Sequence, residues 1–139
     1  MMEDIRTLAV AYHQAGNNCA ETVVKVCNDS LALHLPDETL RMVSILGGGV
    51  AGSGCLCGAL NGACLVLGSL VGRTQPEEKT KAEINQPVRE FQNIWSDRFK
   101  ATCCRVLKSP ANGGPVSCET LMADTAVMVV DFIRQKKLA

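Results

Sequence analysis

Residues 47–68 read GGGVAGSGCLCGALNGACLVLG, an uncharged stretch dense in glycine that carries three of the chain's eight cysteines. A phosphate-binding loop would need Gly-Lys-Ser/Thr after the glycines and a strand before them, and the sequence has neither. A dinucleotide fingerprint fails for want of a strand–helix–strand context. Residues 55–71 are apolar, and Gly54, Gly58 and Gly62 make consecutive GxxxG steps of the kind used between membrane helices. That run is at the short limit for crossing a bilayer, contains Asn61 and leads into amphipathic segments, so no membrane span is expected. What remains is a glycine loop supplying backbone freedom and unpaired amides, followed by a helix over residues 56–72. A helix apolar on every side belongs inside a protein. Gly58, Gly62 and Ala63 would let a second backbone come close to it.

Outward from this stretch the signals are helical. Ile5, Leu8, Ala9 and Tyr12 form a helical stripe closed by Gly16. Asn18, with Glu21 three residues on, has the form of a capping box for a helix reaching about Leu33. Pro36-Asp37-Glu38 is a start signal for a third helix, which Gly47-Gly48-Gly49 stops. Pro76-Glu77-Glu78 opens a longer segment whose Ile84, Val88, Phe91, Trp95 and Phe99 make one apolar stripe. Pro87 lies inside that run and is expected to kink it or divide it in two. SPANGGP, residues 109–115, is a loop, and Ser117 is a candidate N-cap for a last helix through Phe132. β-branched alternation is missing throughout. The expectation is an all-α, single-domain helical bundle in which a glycine-rich loop leads into a buried central helix.

Composition narrows the function. Fourteen basic residues balance fourteen acidic ones and aromatics are only 4%, which argues against nucleic-acid binding. The N-terminal MMEDIRTLAV has acids where a secretory signal needs basic residues and an apolar run, so a cytoplasmic location is expected. A reducing cytosol disfavours structural disulfides, and eight cysteines then point to metal or redox chemistry. Free cysteine is also a small buried hydrophobe, so the cysteines have to be sorted.

Cys57-Gly58-Ala59-Leu60-Asn61-Gly62 resembles the CGAxxG core of the C_GCAxxG_C_C family of redox-active proteins. The preceding GGG-x-x-G, Leu67-Gly68 and Gly72-Arg73 fit the same pattern. Cys19 in Asn-Cys-Ala-Glu resembles the family's first cysteine, Cys104 before Arg105 and Leu107 its third, and Cys118 its fourth. The likeness spans about residues 17–130 and implies redox chemistry or cluster binding, since a related module in a cytochrome is associated with an iron–sulfur centre. Cys27, Cys55, Cys64 and Cys103 are extra to the pattern.

The residues themselves point the same way. Cys19 follows the cap Asn18, Cys118 follows the cap Ser117, and Cys57 follows the glycine loop, so three of these cysteines fall in first helical turns. There the dipole and free amides favour a thiolate. The gaps of 38, 47 and 14 residues are unlike zinc knuckles or ferredoxin runs, so a common site would be assembled by helix ends meeting at one pole. Cys19, Cys57, Cys104 and Cys118 are the candidate cofactor and metal ligands, with Cys55 and Cys103 as further candidates. An iron–sulfur cluster for electron transfer or redox sensing is the first reading. A metal-free thiol–disulfide protein, with a disulfide between Cys104 and Cys118, is the second, and a structural zinc site in an interaction module the third. Cys27 and Cys64 read as core, and His13 and His34 as surface residues. Arg73 and Arg105 flank the cysteine regions and are candidate partners of an anionic site or a carboxylate. No nucleophile–base pair marks an enzyme, and no redox partner is identified. The glycine-lined central helix makes a homodimer plausible.

Overall fold

The computed structural model describes residues 2–109 and 117–139. The regular structure of the described residues is all helical, with α1 at Met2–Gln14, α2 at Cys19–Leu31, α3 at Asp37–Val43, α4 at Gly58–Val71, α5 at Lys81–Phe99, the single turn α6 at Cys104–Leu107, and α7 at Cys118–Gln135. A 3-10 turn, Ser44–Leu46, extends α3. No helix among the described residues is long and apolar enough to cross a membrane.

The starts follow from local chemistry. Asn18 accepts from the Glu21 amide at 2.9 Å, and Glu21 Oε1 accepts from the Asn18 amide at 3.0 Å, closing the expected capping box. Ser117 Oγ likewise accepts from the Thr120 amide. The long segment differs from expectation at its start, because Thr80 rather than Pro76 caps α5. Arg73 braces the intervening turn by donating to the carbonyls of Pro76 and Lys79. Pro87 does not divide α5, which runs unbroken over both halves of the apolar stripe. The carbonyl that loses its partner belongs to Glu83, an exposed residue that water reaches. The SPANGGP loop lies almost wholly outside the described residues.

α2 packs against α4 and α7, α1 against α2 and α7, and α5 against α4 and α7. The glycines of α4 set the closest of these approaches. A Cβ on Gly62 would come within 2.9 Å of the Ala20 carbonyl oxygen, so α2 and α4 touch backbone to backbone. The α4 face of Ala59, Leu60, Ala63, Val66 and Leu67 is buried, while Leu65 and Ser69 on its other side reach solvent. Val23, Val26, Phe91, Trp95, Val129 and Ile133 complete the core. Each of the larger side chains contributes about 1.5–3 kcal/mol by leaving water. Trp95 donates its indole N–H to Thr125 Oγ1 at 2.9 Å, which satisfies the one polar atom of the largest core residue. Asp124 is nearly buried and is held by Arg6 and by Arg98, the latter at 3.1 Å.

The glycine loop is more ordered than a supplier of free amides. Gly48, Gly49, Val50, Ala51 and Gly52 all have φ between 53° and 78°, a left-handed run that glycine adopts freely and valine resists. The amides of Val50, Ala51, Gly52 and Gly54 bond back to the carbonyls of Leu46, Ile45, Gly47 and Gly48. These donors are used inside the loop, ahead of the cysteines.

Candidate cysteine site

Four helix starts meet at one end of the bundle. Cys19 is the first residue of α2, Cys104 of α6 and Cys118 of α7, and Cys57 is the N-cap of α4. All four sulfur-bearing side chains line one narrow cavity of about 20 Å³, closed by Leu107 and Leu121 and by the stem of Lys108. The sequence marks three of these as helix starts. The fourth, Cys104, begins a turn too short to show any periodicity.

Each cysteine is placed by identifiable neighbours. Cys19 is set by the capping box, and Asn18 also donates its side-chain amide to the Ser44 carbonyl at 2.9 Å, tying α2 to the turn before the glycine loop. A Cβ at Gly58 would stand 2.4 Å from Cys19 Sγ, so the sulfur occupies the space that this glycine leaves. The Cys57 amide donates to the Thr102 carbonyl at 2.7 Å, and the Arg105 amide to the Gly54 carbonyl at 3.2 Å. These two bonds join the end of the glycine loop to the segment entering α6, and so bring Cys57 and Cys104 together. Arg105 lays its stem over Gly54.

The electrostatics differ from the simple helix-start expectation. Burial, with 1% exposure, pushes the Cys57 thiol up to about 12, against the pull of the Leu60 and Ala59 amides. Proximity to Cys104 and Cys19 raises it further. Desolvation outweighs the helix start here, because a thiolate in an apolar cavity loses more hydration than two amides return. Lys108 supplies the missing counter-charge. The Cys118 side chain raises the Lys108 pKa, and Cys104 and Cys19 add to it against the opposing effect of burial. Nothing in the sequence around Lys108 singles it out from the chain's other surface lysines.

The remaining cysteines separate cleanly. Cys55 and Cys103 form a disulfide with each other. The sequence offers them as further candidate ligands and gives no sign of this pairing, which joins segments 48 residues apart. Cys104 and Cys118 are both free thiols here. Cys27 is fully buried in the core, and burial raises its pKa to about 12. Cys64 packs against the core from a half-buried position, where burial raises its thiol to about 11. His34 is exposed, and His13 lies 2.9 Å from Glu119 across α1 and α7. Among the described residues, no three His, Cys, Asp or Glu side chains are placed to hold a metal ion as they stand.

Comparison with known sequences agrees with the geometry. Neither the curated proteins nor the solved structures gave a match. The pattern of the family described as "Putative redox-active protein (C_GCAxxG_C_C)" matches residues 17–132, from the cap of α2 nearly to the end of α7. That span is most of the chain and takes in the whole cysteine cavity, and the chain belongs to this family.

Proposed function

We propose that the cavity of Cys19, Cys57, Cys104 and Cys118 is the redox centre, and that its sulfurs hold an iron–sulfur cluster for electron transfer or redox sensing. The observation carrying this reading is the meeting of four cysteine-bearing helix starts, with Lys108, around one cavity. Four thiolates around a metal group are an anionic assembly. The N-terminal ends of α2, α4 and α7 and an ammonium group are what stabilise one. The four thiols are the donor type such a group takes, and Cys19, Cys57, Cys104 and Cys118 would hold it. When bound, the cluster supplies reversible one-electron chemistry. The chain's own part is to shield the sulfurs with Leu107 and Leu121 and to offset their charge with Lys108.

A second reading, metal-free thiol–disulfide chemistry among the same four cysteines, is favoured by the cavity's small size and by the Lys108 contact. Anaerobic purification, a visible spectrum, and iron, sulfide and zinc analysis separate the two. A coloured protein with bound iron and sulfide is expected, and Cys57→Ala should abolish it while Cys64→Ala leaves it intact. A colourless protein with all its thiols and no metal would transfer the assignment to the second reading. Zinc without iron would make the site structural instead.

A further inference from the structure

We infer that Cys55 and Cys103 form a second redox site, a thiol–disulfide exchange pair whose reductant is a dithiol and whose state sets access to the four-cysteine cavity. The pair is distinct from the four, because its sulfurs bond each other and line no part of the cavity. Both residues are half-buried, as Cys104 is, and less enclosed than Cys57 and Cys27, so a small external thiol has a shorter way to them than to the buried pair.

The position of the pair gives it leverage. It joins residues 48 apart in sequence, and it lies between the two backbone hydrogen bonds that clasp Gly54–Cys57 to Thr102–Arg105. Cys103 directly precedes Cys104, and Cys55 stands two residues before Cys57. The covalent bond therefore fixes two cavity cysteines at once. Behind it lies the left-handed run of Gly48 to Gly52, in which Val50 and Ala51 hold φ of 54° and 53°. Such residues persist only where their surroundings over-determine them, and beside the loop's own hydrogen bonds the disulfide is the covalent part of those surroundings. Opening it leaves the clasp with two hydrogen bonds against a backbone that favours rearrangement.

The chemistry balances as ordinary exchange. One thiolate of the dithiol attacks Sγ of Cys55 or Cys103, the S–S bond breaks, and the departing sulfur takes a proton. The second thiol of the reductant then attacks the mixed disulfide and leaves as a cyclic disulfide. Two electrons and two protons pass to the pair, giving two free thiols on the protein.

The proposal does not depend on what the cavity holds, and its test reads the cysteines directly. The full chain is equilibrated anaerobically with graded mixtures of dithiothreitol and its oxidised form. Each cysteine's alkylation by a small maleimide is followed by mass spectrometry, with helicity monitored by circular dichroism. The pair is expected to open while the chain remains helical, and the alkylation rate of Cys57 to rise about tenfold with it, as local opening exposes this buried thiol. A Cys55→Ser/Cys103→Ser chain should show the higher rate without reductant. A disulfide that survives until the helices melt would overturn the proposal and make the bond a permanent staple. Reduction in the folded chain with an unchanged Cys57 rate would overturn it equally.

Discussion

Cys19 and Cys27 share one helix, and Cys57 caps another whose middle holds Cys64, yet the members of each couple sit in different regions. Cys19 and Cys57 stand at helix starts facing the cavity, with amides, a lysine and other sulfurs around them. Cys27 and Cys64 stand in helix interiors, where every backbone donor is already bonded and the neighbours are apolar. The same side chain thus meets two kinds of surroundings within two turns of helix. Position relative to the helix start, more than hydrophobic period, decides whether a sulfur here belongs to a site or to the core.

The sharpest way to break this division is to damage the core and watch the pole. Trp95→Ala removes the largest core side chain and orphans its bond to Thr125. It should cost about 3–5 kcal/mol in urea unfolding. In the fraction that remains folded, the maleimide reactivities of Cys19, Cys104 and Cys118 should stay at wild-type values. A change in those rates would mean that core packing, not the helix starts, places the sulfurs.

The boundary between the regions runs through Gly58. A methyl there would meet Cys19 Sγ at 2.4 Å and the Leu46 carbonyl oxygen at 2.8 Å. Gly58→Ala should cost about 1–3 kcal/mol by overpacking. It should also alter the reactivity of Cys19 while leaving that of Cys64 unchanged. Equal effects on both sulfurs would show that α4 had shifted as a whole.

How much of this was legible in the sequence depends on the range of the interaction. The helix starts at Asn18 and Ser117 could be read because capping acts over three residues. The four cavity cysteines could be named from a motif, and three of them independently from their caps. Lys108 and the bond from Cys55 to Cys103 could not, since each depends on segments that only the tertiary fold brings together. The rise in the Cys57 pKa was missed for a related reason. A helix start is visible in sequence, but the depth of the cavity that overrides it is not. The glycine loop hides its detail in the same way, because the amides of Val50 to Gly54 are taken by nearby carbonyls in a left-handed arrangement that no pattern announces.

The core cysteines sharpen the comparison through pH. Cys27 keeps its proton in the folded chain up to about pH 12. An unfolded thiol loses its proton near pH 8.5. Below about 8.5 both states hold the proton, and the stabilisation is complete and independent of pH. Above it, unfolding releases a proton, so stability falls as pH rises towards the folded value. Cys64 and Cys57, also raised, act with the same sign. Cys27→Ala should therefore flatten the alkaline limb of the stability curve by about 1.4 kcal/mol per pH unit, one proton's worth. Urea midpoints taken between about pH 9 and pH 10.5 measure it, within the interval set by the two pKa values. An unchanged slope would mean that Cys27 is solvated before the chain unfolds.

The smallest effect comes from the glycine that only looks like Gly58. Gly68 lies on the same helix, in the same glycine-rich stretch, but nothing stands within 4 Å of where its Cβ would be. It is exposed, near the end of α4 farthest from the sulfurs. A glycine in a helix without a close neighbour costs backbone entropy for no packing return, so Gly68→Ala should stabilise the chain by about 0.5–1 kcal/mol. Thermal unfolding of the two alanine variants side by side gives opposite signs if glycine in α4 serves close approach at the cysteine end and nothing at the other. A destabilised Gly68→Ala would reveal that this face of α4 is covered, and that the open side of the helix is a contact surface in solution.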